Sequence, residues 1–99
     1  MDQIAPTING NLKSCVVRAN KNIDFGTFSF SDDATSKDNI QYMVYFIDPE
    51  AITSLHKSGV GGSVSVSNTF KKVGKWEMYI VAYDEAGNPA YASMNIYVK

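Results

Sequence analysis

The sequence predicts an all-β fold, an antiparallel sandwich of about seven strands. Three observations carry this expectation: apolar residues recur at period two, the runs are short and separated by Gly, Asn, Asp, Ser and Pro, and no long helical pattern competes. Alternation of this kind sets one face of each strand against a core and leaves the other in water. At 99 residues the chain is read as one domain, 1–99, because a single core takes on the order of 100 residues. A hydrophobic content of 44% against 19% charged residues supplies apolar surface for that core and excludes a disordered chain.

The expected strands span residues 7–8, 15–19, 25–30, 40–47, 63–68, 75–84 and 90–98. The last two are the best defined. In the first of them Trp76, Met78, Ile80 and Ala82 alternate with Glu77, Tyr79, Val81 and Tyr83; in the second Ala92, Met94, Ile96 and Val98 alternate with Tyr91, Ser93, Asn95 and Tyr97. Trp76 has the largest apolar surface, so its set is assigned to the core, where burying the indole is worth about 3 kcal/mol. Between the strands, Asp84 suits bonding to backbone amides, Gly87 and Asn88 accept the positive φ of a tight turn, and Pro89 blocks a helix. Residues 49–56 read as a short helical turn opened by Pro49 after Asp48. Gly59, Gly61 and Gly62 read as a flexible turn, since no Lys-Ser/Thr pair follows to complete a phosphate cradle.

Three separated segments resemble bacterial immunoglobulin-like domains, the hyalin-repeat-like and cadherin-like modules found in tandem in secreted and surface proteins. Ala5-Pro6-Thr7-Ile8 resembles the Pro-x-Ile opening of such a repeat. Phe28-Ser29-Phe30-Ser31-Asp32-Asp33 resembles its second major strand running into an acidic loop, and the segment from Gly74-Lys75-Trp76 to Asp84-Glu85-Ala86-Gly87-Asn88 resembles its closing motif. The resemblance implies an immunoglobulin-like β-sandwich excised from a larger multidomain protein, with residues 1–4 as a linker or cloning remnant. It implies an extracellular or cell-surface location in a bacterium and neighbouring domains of the same parent chain as partners. The function it implies is a non-catalytic structural spacer or adhesion and interaction domain.

Other classes are limited by charge and by residue counts. A net charge of −1 provides no field to gather nucleic acid, and no run approaches the roughly 18 apolar residues that span a bilayer. Lys71, Lys72 and Lys75 read as a solvated edge. Cys15 is alone, which excludes an intrachain disulfide and a thiolate cluster, and it reads as a small buried hydrophobe. His56 is the only histidine, no Gly-x-Ser-x-Gly elbow is present, and no pair of carboxylates is held at a defined separation. No catalytic residue is assigned, and the chain is expected not to be an enzyme.

Two binding readings remain. Calcium is the one cofactor the loops suggest, through Asp32, Asp33, Asp38, Asp84 and Asn88, because hard cations collect carboxylate and carbonyl oxygens. Turn capping by Asp84 explains that residue without a metal. The alternative function is a carbohydrate-binding module built on an exposed tyrosine face of Tyr45, Tyr79, Tyr83, Tyr91 and Tyr97, which could equally receive a protein. Cross-strand tyrosine pairs also stabilise a sheet with no ligand at all.

Overall fold

The computed structural model describes residues 5–33 and 36–99, so the linker expected at 1–4 lies outside the described residues. These form β1 (Thr7–Asn9), β2 (Cys15–Val17), β3 (Asn22–Ser31), β4 (Gln41–Ile47), β5 (Thr53–Val60), β6 (Ser63–Thr69), β7 (Gly74–Tyr83) and β8 (Pro89–Val98), with a 3-10 turn at Lys37–Asn39. They make two sheets, a three-stranded one in the order β1-β3-β6 and a five-stranded one in the order β2-β8-β7-β4-β5. The expected immunoglobulin-like two-sheet sandwich is the observed one.

The core lies between the sheets and follows the alternation. Phe28, Phe30, Val64 and Val66 of the smaller sheet face Val44, Phe46, Met78, Ile80, Ala82, Met94, Ile96 and Val98 of the larger, all buried. β3 keeps its side chains inward despite a change of period. The Asp24 carboxylate accepts the Gly26 amide at 2.8 Å, Gly26 takes φ 82°, and the pairing with β6 slips between Asp24 and Gly26. The bulge absorbs one residue, Phe25, so both Ile23 before it and Phe28 after it point toward the core, and Phe25 packs against it as well. Phe70, just beyond β6, joins the halves. Its ring meets Phe46 at 5.4 Å, Phe25 at 6.1 Å and Trp76 at 5.0 Å between centroids, all edge-on, the favoured geometry for aromatic pairs.

Trp76 itself is only half-buried. Its ring closes the core's lower rim while Nε1 donates to the Lys72 carbonyl at 2.9 Å, so the apolar ring packs inward and the polar N–H stays at the rim.

Two expectations are corrected. Residues 49–56 do not form a helical turn: Asp48 Oδ1 accepts the amides of both Glu50 and Ile52 at 2.9 Å, and Ala51 takes φ 66°. The chain therefore reverses tightly and continues as β5, which covers the edge of β4. The text Thr-Ser-Leu-His-Lys-Ser-Gly-Val carries little alternation because it is an edge strand with few buried positions, which left its strand character invisible. The second correction is one of direction. β2 lies parallel to β8, since the chain crosses from one sheet to the other without turning back, while the other ladders are antiparallel as expected.

Replacing Phe70 by Ala removes the ring on which three others close, and is expected to lower unfolding free energy by about 3–5 kcal/mol in urea titration. Gly74 takes φ 134°, and a Cβ there would sit 2.7 Å from Pro49 Cγ. Gly74→Ala is therefore expected to destabilise by more than the roughly 1 kcal/mol that a strain-free Gly→Ala change would add, with opposite sign.

Candidate functional site

The outer face of the five-stranded sheet holds the tyrosines. On β7 the residues Lys75, Glu77, Tyr79, Val81 and Tyr83 alternate with buried Met78, Ile80 and Ala82. Across the ladders, Tyr45 pairs with Tyr79 and Tyr79 in turn with Ser93; Met43, Val81 and Tyr91 form the next row, and Gln41, Tyr83 and Pro89 the one above. Odd-numbered side chains of β4, β7 and β8 thus share this face, and Leu55 of β5 extends it beside Tyr45.

This face is not a flat platform of rings. Val81 is only 4% exposed although it points away from the core, and the Tyr79 and Tyr91 rings stand beside its row 5.8 Å apart and tilted by 38°. Tyr45 turns its hydroxyl to Met43 Sδ at 3.1 Å. Among the five predicted tyrosines only Tyr91 and Tyr97 are exposed; Tyr45, Tyr79 and Tyr83 are half-buried. The alternation thus brought Tyr45, Tyr79, Tyr83 and Tyr91 together but gave no hint that Tyr45, Tyr79 and Tyr83 would be half-buried.

Two concavities run end to end along the β4–β7 seam of this face. The lower, about 310 Å³, is lined by Tyr45, Ile47, Thr53, Glu77 and Tyr79. The upper, about 560 Å³ and open to solvent, is lined by Asn39, Gln41, Met43, Tyr83, Asp84, Glu85 and Gly87. Asn39, Gln41 and Met43 were not singled out by sequence reasoning. The alternation of β4 contained the signal for Gln41 and Met43, whereas Asn39 arrives from the 3-10 turn through tertiary contact alone.

The β7–β8 turn fixes the upper wall. Asp84 is 5% exposed, and its carboxylate accepts both the backbone amide and Nδ2 of Asn88 at 2.8 Å. The Asp84 amide donates to the Asn88 carbonyl at 3.2 Å and Gly87, at φ 86°, donates to the Asp84 carbonyl at 3.1 Å. Asp84 is therefore a turn clasp that brings a carboxylate to the cleft, while exposed Glu85 accepts from Asn39 Nδ2 at 3.4 Å. Of the residues considered as calcium ligands, Asp84 and Asn88 touch one another, whereas Asp32 and Asp33 follow the end of β3 in the other sheet and Asp38 lies in the 3-10 turn. Among the described residues no group of three His, Cys, Asp or Glu side chains is placed to hold a metal ion.

The remaining reactive groups do not line this cleft. Cys15 on β2 packs against the core, and burial pushes its thiol pKa up. His56 on β5 packs edge-on against Phe46 at 4.9 Å, a structural contact. Lys72 pairs with Glu50, and that hydrogen bond holds its ammonium above the usual lysine range.

No protein-family model and no curated protein matches the chain. Solved structures do match its fold, among them a superoxide reductase (neelaredoxin) from Ignicoccus hospitalis in a substituted form and the superoxide reductase (neelaredoxin) from Ignicoccus hospitalis. The first has a TM-score of 0.71 at 15% identity over 95% of this chain and 79% of the other. The second has 0.66 at 16% identity over 97% and 81%. Identities this low show a shared fold and nothing of its chemistry. The comparison also corrects the family reading: the resemblance to bacterial immunoglobulin-like repeats is not upheld, and with it falls the spacer or adhesion function and its carbohydrate-binding alternative. The physical reason is that a Pro-x-Ile opening, alternating strands and an Asp-to-Asn turn describe sandwich hairpins in general. The extracellular setting and the parent chain are implied only by that resemblance.

Alkylation of Cys15 is expected to run slower than that of a small free thiol near pH 8, with the gap closing as pH passes the raised value. Because the folded state favours the neutral thiol, the associated stability is complete below the ordinary thiol pKa and is lost as pH rises through the raised one. Replacing Asp84 by Ala leaves both Asn88 donors without their acceptor and is expected to cost about 1–3 kcal/mol, with faster hydrogen exchange at the Asn88 amide.

Proposed function

We propose that this domain is a non-catalytic binding domain whose ligand carries a cationic head and an apolar body. One observation carries the reading: the acidic upper concavity and the apolar lower one share the β4–β7 seam, with Met43 of the first two residues from Tyr45 of the second on β4, and Tyr83 and Tyr79 on either side of Val81 on β7. A cation is favoured at the upper end because Glu85 is exposed there, Asp84 adds a second carboxylate that the turn immobilises, and the Tyr83 ring offers a π face. The lower end is lined by Tyr45, Ile47 and Tyr79, which suits an alkyl or aryl group.

Superoxide reduction, the activity named for the structural neighbours, does not suit the donors of this chain. Such chemistry calls for a redox-active centre, and protein iron and copper centres draw on thiolate and imidazole ligands. The sequence holds one of each, Cys15 and His56, and they stand on β2 and β5, the opposite edges of the five-stranded sheet. Four interstrand spacings separate those edges, on the order of 19 Å, too far to share one ion. The cleft residues Asn39, Gln41, Met43, Tyr83, Asp84, Glu85 and Gly87 include no histidine, cysteine, serine or lysine that could act as a nucleophile with its base.

Titration with phenethylammonium, followed by amide shifts, is expected to move Gln41, Met43, Tyr79, Tyr83 and Glu85 with a dissociation constant in the millimolar range. Glu85→Gln should weaken it up to about fivefold, the scale of one exposed ion pair. Equal binding of neutral phenylethanol, or no shift at about 20 mM amine with the protein monomeric, would remove this reading.

A further inference from the structure

The outer face carries apolar side chains toward its middle and charged ones toward its ends. Tyr91 is 58% and Leu55 56% exposed, and Tyr45, Tyr79, Met43 and Ile47 lie between them. Lys75 stands at the lower end of β7 on this face and Glu85 beside the upper cleft, and the two lie the same number of residues before and after Ile80. Glu77 and Tyr83 are likewise equidistant from Ile80. A twofold axis across the strands at the level of Ile80 exchanges these positions. It sets Lys75 of each copy over Glu85 of the other and gives the Glu77 carboxylate a Tyr83 hydroxyl as donor. Self-complementarity of this kind is what an isologous interface requires.

We infer that two copies of this chain pack face to face through the outer surfaces of their five-stranded sheets, with strands running in opposite directions and each copy's Lys75 occupying the other's acidic cleft. The inference rests on the reading that the cleft takes a cation, and it names the source of that cation. Area supports it: five strands spaced by about 4.8 Å and up to ten residues rising about 3.3 Å each give a face of roughly 600–800 Å², close to the ~800 Å² per partner of a stable interface. Two twisted sheets stack in aligned fashion when their faces are apolar, which Tyr45, Leu55, Tyr79 and Tyr91 provide.

Sedimentation equilibrium of the whole chain tests this. A dimer is expected at micromolar to sub-millimolar protein, dissociating as salt rises because the end contacts are charge pairs. Lys75→Glu and Glu85→Lys should each weaken dimerisation about tenfold, both groups being exposed and outside the core. The double variant Lys75→Glu/Glu85→Lys should recover it, since the twofold axis again pairs opposite charges. Tyr79→Glu should give a monomer whose circular dichroism matches the parent. A monomer at about 1 mM, or a dimer indifferent to both single charge reversals, overturns the inference. A monomer that still binds phenethylammonium at Gln41, Tyr83 and Glu85 overturns the dimer alone, and loss of both removes the cleft reading as well.

Discussion

The clasp of Asp84 on Asn88 is the contact from which the rest of the larger sheet follows. One carboxylate accepts two N–H groups across the β7–β8 turn, so the reversal has a single geometry and β7 meets β8 in one register from Gly74–Val98 to Tyr83–Pro89. A slip of one residue would turn Met78, Ile80, Met94 and Ile96 into water and the tyrosines into the core. The same bonds hold a charged group at the end of the sandwich where charge would otherwise be costly, because each oxygen is engaged by an N–H donor. Structure and candidate chemistry therefore share one residue.

β7 is buried on both sides of the sheet at its upper half, where Ile80 and Ala82 face the core and Val81 is closed from outside. That double burial makes β7 the stiff centre against which β4 and β8 align their outer side chains. The edges are handled differently. On the β5–β6 side, Lys57 reaches from one sheet to the other and its Nζ donates to the Ser65 carbonyl at 2.6 Å, occupying an acceptor on β6 that a foreign strand would otherwise use. Charge at the edges and apolar surface on the face leave the face as the more favourable place for contact.

A shared fold does not carry a shared chemistry. The backbone matches superoxide reductases over 95% of this chain at 15% identity, and among the described residues no group of three His, Cys, Asp or Glu side chains is placed to hold a metal ion. A two-sheet sandwich is defined by alternation, turn residues and one apolar layer, conditions that many sequences satisfy. The same permissiveness explains why motif resemblance pointed to a family that the comparison does not uphold: the residues quoted for it serve a hairpin, a strand and a strand opening, and such parts recur wherever strands must reverse.

Much of the fold was legible because period two leaves its mark wherever one face is buried and the other wet. The alternation of Trp76 to Tyr83 and of Tyr91 to Val98 determined both strands, their inward sets and the turn at Asp84. β5 was not legible, since an edge strand buries too little to impose a pattern, and its reversal depends on the Asp48 side chain bonding amides two and four residues on. The direction of β2 was hidden too, because a crossing between sheets is settled by where the chain arrives. The candidate site was half legible. Alternation placed Tyr45, Tyr79, Tyr83 and Tyr91 on one face, but only the tertiary structure set Gln41 and Met43 beside Tyr83, brought Asn39 to Glu85, and covered Val81. Local sequence determines which way a side chain points; which side chains become neighbours is decided by ladder pairing between segments distant in the chain.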